Sequence, residues 1–462
     1  MQYEKQPPPS ETPKVQPRIV IHGGAGNIVR ANFPQDKYNA YRDALLAIIT
    51  KTNEYISTPV KASQKPSALD VACYAVRLLE DNPLFNSGHG AVFTRDGVNE
   101  LEASVMVSRG RKKRGVGVMG LRHVRNPILL AKGMLEHGDQ DLGSGGQASS
   151  CAAATDHRGR RLDVPSAQGH TQVWGPAAEE LARRYGLDMV DPGYFFTQQR
   201  WEEHVRALER ERRGLGQGTW SAEEHLPQGT CGAVALDEDG IVCAATSTGG
   251  MTNKLTGRIG DTPVVGAGFW AEEWEQSGVA GLSAWERLAS VVRTASPGLS
   301  LAGPLKGLLA DCLPTPFLYS PLRGGSWSRP RGETVVSRAM GASGTGNGDS
   351  FLRISAARTV AAMARWKPES TARALANVVG PGGELQRSAG DRWGRAGEGE
   401  GGMIGIESIV ERDTKSGRLV SVRSEIVMDY NCGGMYRAWL DDQGRARMSI
   451  WTNTGEDPEN RA

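Results

Sequence analysis

Two threonines, Thr230 and Thr248, flank a segment that the sequence predicts to be a tight β-hairpin. Residues 231–236 are small and apolar, as a buried strand requires, and residues 237–240 have the Asp and Gly composition of a turn. The chain then returns as a second strand that ends at Thr248. If the first turn residue pairs with the last or with the one after it, the two threonines lie close together.

Thr230 has the chemistry of a nucleophile only if it begins a chain. Its own α-amine, with a pKa of about 7.7–8.0, can then accept the proton of its hydroxyl. This requires cleavage of the Gly229–Thr230 bond, and Gly229 lacks the Cβ that would resist a strained geometry there. The simpler interpretation is a cross-strand threonine pair with no catalytic role.

A glycine-rich loop follows the hairpin and carries two opposite charges. Arg258 and Asp261 lie three positions apart between Gly257 and Gly268. A guanidinium binds a carboxylate bidentately and a carboxylate binds an ammonium, so the two residues can hold both ends of an α-amino-acid headgroup. A surface ion pair between them is the alternative.

The run from Gly229 to Gly268 resembles the plant-type L-asparaginase/isoaspartyl peptidase family, a branch of the N-terminal-nucleophile (Ntn) hydrolases. Similar blocks occur in the family's order elsewhere in the chain, at residues 19–26, 78–90, 100–106, 126–128, 192–197, 345–349 and 431–437. Several separate motifs in the right order are a more specific signal than any one glycine cluster.

The resemblance implies a role for each matching residue of the site. Thr230 matches the nucleophile, freed by self-cleavage after Gly229, and Thr248 the second threonine that helps to orient it. Thr345 and Gly346 match an oxyanion hole, in which a hydroxyl and a backbone N–H face the developing negative oxygen. Asn86 matches an active-site asparagine near the nucleophile.

Substrate binding and one ion site are implied in the same way. Arg258 matches the clamp for the substrate α-carboxylate, Asp261 the partner of the α-amine, and the Gly348 carbonyl a further acceptor for that amine. No cofactor is required. A loop that can wrap a structural sodium ion in family members is matched by the main-chain carbonyls of Leu79, Glu80, Asn82, Phe85, Ser87 and His89.

The implied reaction is acyl transfer from L-asparagine or from an isoaspartyl dipeptide, with release of L-aspartate. The implied fold is α+β, a four-layer αββα sandwich with long loop insertions. Cleavage would give an α subunit of residues 18–229 and a β subunit of residues 230–462, preceded by a disordered tail at residues 1–17. Residues 271–338 are the largest departure from the family pattern, and we expect an insertion there. Family members pair two processed αβ protomers, which predicts a homodimer.

Composition sets limits on partners and compartment. The net charge is +2, so no global field favours nucleic acid or a membrane surface. The six cysteines show no metal-ligand spacing, and His22 and His89, in glycine-rich turns, are predicted to hydrogen-bond to backbone rather than to hold a metal. No apolar run has the length of a membrane span, and no signal-peptide core is present, which favours the cytoplasm.

Apolar residues at helical spacing predict several helices. Ser67 and Asp70 have the spacing of a capping box, which predicts a helix start at Ser67. Other predicted helices lie at residues 36–55, 126–137, 176–185, 197–213, 299–313 and 350–366.

Two rival functions stay open at this stage. The large insertion suggests a relative that cleaves protein chains or glycosylated asparagine, that is, a threonine endopeptidase or a glycosylasparaginase-like enzyme. The other rival is an unprocessed, inactive scaffold that serves as a binding protein. Self-cleavage at residue 230 separates the scaffold from the enzymes.

Overall fold

The computed structural model describes residues 13–59, 65–142, 166–214, 229–276, 334–367, 369–395 and 397–451. The chain divides into two compact units. The larger unit, which carries every candidate site residue, comprises residues 13–274, 338–410 and 422–462. Of the smaller unit, residues 1–12, 275–337 and 411–421, the structure describes residues 275–276, 334–337 and 411–421.

Strands and helices occur throughout the described residues. The strands are β1 (Arg18–Gly26), β2 (Leu101–Val107), β3 (Gly115–Leu121), β4 (Gln172–Trp174), β5 (Cys231–Leu236), β6 (Val242–Thr248), β7 (Phe269–Gln276), β8 (Thr334–Gly346), β9 (Gly401–Asp413), β10 (Leu419–Tyr430), β11 (Gly434–Leu440) and β12 (Ala446–Ser449). The α-helices are α1 (Gln35–Ser57), α2 (Ala68–Glu80), α3 (Pro127–Asp141), α4 (Gly175–Arg184), α5 (Gln198–Arg212), α6 (Gly348–Ile354), α7 (Ala356–Trp366), α8 (Thr371–Val379) and α9 (Glu384–Arg387).

The strands form two sheets. The larger has the order β12-β11-β1-β5-β6-β2-β3-β4, and the smaller the order β10-β9-β8-β7. In the larger sheet the pairs are antiparallel except for the parallel pair of β3 with β4. Every residue of β2, β5 and β6 is buried, because these central strands are covered on both faces.

Each sheet packs helices against its outer face. Leu45 of α1, Val76 of α2 and Leu135 of α3 share one hydrophobic cluster with residues of the larger sheet. Val360 of α7 and Leu375 of α8 share a second cluster with residues of the smaller sheet. The inner faces of the sheets meet between β5 and β8, where Gly232 lies against Ser343. The layers are therefore helix, sheet, sheet, helix, which confirms the predicted α+β class.

Most of the predicted helices are present, with one correction. The predicted helix at residues 350–366 is wrong as a single helix, because Ser355 adopts a left-handed conformation, with φ of +46°, between α6 and α7. The chain restarts there so that the backbone N–H groups of Ala357 and Arg358 donate to the carbonyls of Ala267 and Gly266. This break docks α7 on the loop that leads into β7. The predicted helix at residues 299–313 lies outside the described residues.

The predicted insertion at residues 271–338 overlaps regular structure at both of its ends. β7 extends to Gln276 and β8 begins at Thr334. The two strands are hydrogen-bonded neighbours in the smaller sheet. Residues 277–333 lie outside the described residues.

The start of α2 provides a direct test of the capping box. The Ser67 side chain accepts the Asp70 N–H, and the Asp70 carboxylate accepts the Ser67 N–H, at 3.2 Å in both cases. We expect Ser67→Ala to lower the free energy of unfolding by about 1 kcal/mol, the usual effect of a lost N-cap. Ser57→Ala, at the exposed end of α1, is the control and should change it by less than about 0.5 kcal/mol. Equal effects in a denaturant titration would contradict the assignment.

Candidate active site

The predicted hairpin is present with the predicted register. Leu236 pairs with Val242 and Cys231 with Ser247. The Asp237 N–H donates to the carbonyl of Ile241, the residue after the turn glycine. Continued by one pair, this register places Thr230 directly opposite Thr248.

The peptide that precedes Thr230 lies against β1. A Cβ at Gly229 would lie 2.1 Å from the Cα of Gly24 and 2.4 Å from the N of Ala25, so only glycine fits. Gly24 itself has φ of +123°, next to a register shift of β1 between His22 and Gly24. The Gly229–Thr230 bond, which the sequence predicts to be cut, therefore lies against an irregular part of β1.

The Thr230 hydroxyl contacts a threonine that the sequence reasoning missed. Oγ1 of Thr230 lies 3.4 Å from Oγ1 of Thr262, and both side chains are buried. The Ser104 hydroxyl donates to the Thr262 carbonyl at 2.6 Å and fixes that backbone. Thr262 directly follows Asp261, so its place beside the predicted clamp was the available signal.

Thr248 and Asn86 define the turn after the hairpin. The Thr248 hydroxyl accepts the Gly250 N–H at 3.0 Å. The Asn86 amide donates to the Gly250 carbonyl at 2.7 Å, while its Oδ1 accepts the Val92 N–H at 3.1 Å. Both side chains are buried. Asn86 therefore ties the glycine-rich loop that follows α2 to the chain just beyond Thr248.

β8 crosses the hairpin in close contact. A Cβ at Gly341 would lie 3.1 Å from the Val234 side chain, and a Cβ at Gly232 would lie 2.2 Å from the Ser343 hydroxyl. Ser343 and Thr246 also share a hydrogen bond of 2.9 Å between their hydroxyls. Gly341 of β8 therefore lies over Val234 of β5, and Ser343 lies over Gly232. The two strands run in opposite directions past each other.

The next step of this register brings Thr345 over the pair formed by Thr230 and Thr248. Thr345 is fully buried, and its Oγ1 has no hydrogen-bond partner among the described residues. Gly346 follows with φ of +143°, and a Cβ there would lie 2.4 Å from the Glu400 carbonyl oxygen. A buried hydroxyl without a partner is costly unless something else uses it, which fits a donor awaiting a ligand oxygen.

The three predicted substrate-binding residues converge. A Cβ at Gly348 would lie 2.5 Å from Oδ1 of Asp261 and 3.2 Å from Nη2 of Arg258. Nη2 of Arg258 also lies 2.8 Å from Oδ1 of Asp349, whose side chain is 63% exposed. Arg258 is thus paired with a solvent-facing carboxylate that a ligand carboxylate can replace.

Asp261 is a buried carboxyl with unused capacity. Its Oδ2 lacks a hydrogen-bond partner within the part of the chain that the structure describes. Burial raises the pKa of Asp261 to about 7, against the opposing effect of the Arg258 charge. The side chain is suited to a cationic ligand group, which would both pair with the carboxylate and favour its ionised form.

His22 lies next to Thr230. Its Nε2 lies 2.8 Å from the Ser343 hydroxyl, and it also contacts the Thr230 backbone. Burial lowers the pKa of His22 to about 3, so the ring is neutral at physiological pH.

His89 bonds through Nδ1 to the Tyr194 carbonyl, as predicted for a histidine in a glycine-rich turn.

The loop that resembles a sodium site is tightly folded. The Glu80 carbonyl accepts the His89 N–H at 2.7 Å, and the Leu79 carbonyl accepts the Asn82 N–H at 3.2 Å. The Asn82 and Phe85 carbonyls likewise accept bonds from within the loop. The Leu79 carbonyl also accepts the Asp81 N–H, whereas the Glu80, Asn82 and Phe85 carbonyl oxygens each keep a lone pair that a cation could use. These three oxygens have the donor chemistry of an oxygen-coordinated ion.

Two other kinds of feature are absent from the described residues. No cluster of three or more His, Cys, Asp or Glu side chains suited to a metal ion occurs within them. Within the same ranges, no helix has both the length and the apolar character needed to cross a bilayer.

Comparisons of the sequence with known proteins find similarity over more than half of the chain. A family profile described as "Asparaginase" covers residues 15–159 and 163–284. The isoaspartyl peptidase of Escherichia coli (strain K12) is 40% identical over 253 residues, which are 55% of this chain and 67% of that protein. The plant-type L-asparaginase of Pyrococcus furiosus is 33% identical over 283 residues, 60% of this chain and 78% of that protein. The chain therefore belongs to the asparaginase family of hydrolases.

Proposed function

We propose that this chain is an autoprocessed threonine hydrolase that releases L-aspartate from L-asparagine, from β-aspartyl peptides, or from both. The observation that carries the proposal is a convergence at one end of the β5–β6 hairpin. There the register brings together Thr230, Thr248 and Thr345, and the adjoining loops bring in Arg258 and Asp261. The similarity to an isoaspartyl peptidase and to L-asparaginases supports this choice of substrates.

Maturation begins with the bond in front of Thr230. The Thr230 hydroxyl attacks the Gly229 carbonyl carbon, the peptide C–N bond breaks, and an ester with a free Thr230 amine results. Water then hydrolyses the ester and leaves Gly229 with a carboxylate. The close contact of Gly229 with Gly24 and Ala25 holds the peptide still during this step.

Substrate binding uses the three groups of the clamp. The substrate α-carboxylate displaces Asp349 from Arg258 and takes both donors of the guanidinium fork. The α-ammonium binds the Asp261 carboxylate and the Gly348 carbonyl. The β-carbonyl carbon is then presented to Thr230.

Acyl transfer follows in two steps. The Thr230 amine accepts the hydroxyl proton as Oγ1 attacks the β-carbonyl carbon. The Thr345 hydroxyl donates to the oxygen that becomes negative. Removal of one such donor typically costs about 3–4 kcal/mol of transition-state stabilisation. Ammonia or an amino acid leaves with the proton, and water hydrolyses the β-aspartyl ester to L-aspartate.

The clamp argues against the endopeptidase alternative. Arg258 and Asp261 recognise a free α-carboxylate and a free α-amine, and neither is present at a bond in the middle of a protein chain. An inactive scaffold would retain the uncut chain.

A homodimer of processed protomers and a cytoplasmic location stay predictions.

The first test is intact mass spectrometry followed by an aspartate-release assay. We expect the 49.6 kDa chain to yield two fragments, the second beginning at Thr230. Thr230→Ala should leave one chain and abolish aspartate release, because both the nucleophile and its amine are lost. Thr359→Ala, on α7, is the control and should be cut and active. A wild-type chain that stays whole and inactive would support the scaffold instead.

The second test concerns pH. Asp261 binds an ammonium only when ionised, and its pKa is raised to about 7. Because a protonated carboxyl binds the ammonium poorly, the inhibition constant of L-aspartate should fall as pH rises from about 6 to 8. Product inhibition measures binding alone and does not require the Thr230 amine to act as a base. An inhibition constant that is independent of pH would contradict the role of Asp261.

The third test concerns the ion site. We infer that the carbonyls of the loop at residues 79–89 hold a structural Na⁺, which takes no part in the reaction. The unfolding temperature should then rise with NaCl concentration relative to choline chloride at equal ionic strength, since a ligand of the native state stabilises it. Superimposable curves in the two salts would refute the site.

A further inference from the structure

Two buried carboxylates hold the loop that carries Arg258. The Glu100 carboxylate accepts the Gly257 N–H at 2.7 Å. Both oxygens of the Glu102 carboxylate accept the Gly260 N–H, at 3.2 and 3.3 Å. The two glutamates are two positions apart on the chain entering β2, so both face the same side and together bracket Arg258.

A lysine completes this cluster. Nζ of Lys254 lies 3.7 Å from Oε1 of Glu102 and donates to the Glu100 carbonyl at 2.9 Å. The side chains of Lys254 and Glu102 are each only 1% exposed. A buried ion pair needs well-placed partners to offset its desolvation, and here the Gly260 N–H and the Glu100 carbonyl supply them.

Glu102 also lies within reach of the Arg258 guanidinium. A Cβ at Gly260 would lie 2.8 Å from Nη1 of Arg258 and 3.3 Å from Oε2 of Glu102. Glu102 would therefore be a ready internal partner for Arg258. Because the Lys254 ammonium already engages Glu102, the guanidinium stays available to a ligand at its outer side.

The same pair adjoins Thr248, which lies opposite the proposed nucleophile. Glu102 is the cross-strand partner of Thr248. The Lys254 side chain packs on Gly250, where a Cβ would lie 2.8 Å from Cδ of the lysine. The Gly250 N–H in turn donates to the Thr248 hydroxyl.

We propose that Glu102 and Lys254 are positioning residues that set substrate affinity by holding Arg258 and Asp261 in place. This inference rests on the proposed function of the same site. Neither residue touches the reacting atoms. Lys254 neutralises Glu102 so that Arg258 binds the substrate α-carboxylate instead of an internal one, and Glu102 fixes the backbone between Arg258 and Asp261.

The experiment compares Lys254→Met and Glu102→Gln with the wild type. Lys254→Met frees Glu102 to withdraw Arg258, and Glu102→Gln removes the charge that balances Lys254. We expect KM for an isoaspartyl dipeptide and the inhibition constant of L-aspartate to rise at least tenfold, with kcat reduced less than threefold. Lys254→Arg retains the charge and should recover most of the affinity.

The matched control is Glu407→Gln, which disrupts another buried ion pair, that of Arg338 with Glu407 in the smaller sheet. It should lower the unfolding temperature with KM unchanged. If Lys254→Met does not fold, Glu102→Gln tests the loss of affinity, with Lys254→Arg as the variant that retains the charge.

The outcomes separate this inference from the proposed function. A wild-type enzyme that neither releases aspartate nor binds it in calorimetry overturns both. An active wild type whose Glu102→Gln and Lys254→Met variants keep KM and the aspartate inhibition constant within twofold overturns the positioning role alone. A fall in kcat with unchanged KM also overturns it, since it would place the effect on the nucleophile.

Discussion

The site depends on how closely the two sheets approach between β5 and β8. At Gly232, a Cβ would lie 2.2 Å from the Ser343 hydroxyl and 2.3 Å from Nε2 of His22, so no larger residue fits. This contact fixes the register of β8 over the hairpin. Given that register, Thr345 must follow over Thr230 and Thr248, and the turn after β8 must bring Gly348 to Asp261.

In the same region, burial and ion pairing shift the pKa values of the charged side chains. Asp261 is buried with one oxygen unsatisfied, and its pKa is raised accordingly. Burial lowers the pKa of Lys254, while the neighbouring Glu102 opposes that effect. An unsatisfied carboxyl beside a cation whose partner can be exchanged fits the zwitterionic substrate that we propose. An α-amino acid has the matching charges.

Local patterns in the sequence predicted the parts of the site that local rules govern. The hairpin register follows from turn composition, and the start of α2 follows from the spacing of Ser67 and Asp70. The break at Ser355 could not be predicted, because the bonds that favour it run to Ala267 and Gly266, far away along the chain.

Long-range contacts explain the other omissions. Thr262 contacts Thr230 only after the loop that carries Arg258 and Asp261 folds back. Lys254, in the loop after β6, contacts Glu102 of β2 only in the folded protein. Neither pair produces a periodicity or a local composition that could be recognised in the sequence. The resemblance to a family supplied the roles of Thr345 and Gly348, whose distance from Thr230 in sequence is bridged by the sheet packing.

The most direct test of the central claim is to trap the acyl-enzyme and to locate it. Enzyme mixed with asparagine and quenched in acid should carry an aspartyl group on the peptide that begins with Thr230, as mapped by mass spectrometry. An adduct on another residue, or steady turnover by a chain that is still continuous through Gly229 and Thr230, would contradict the account.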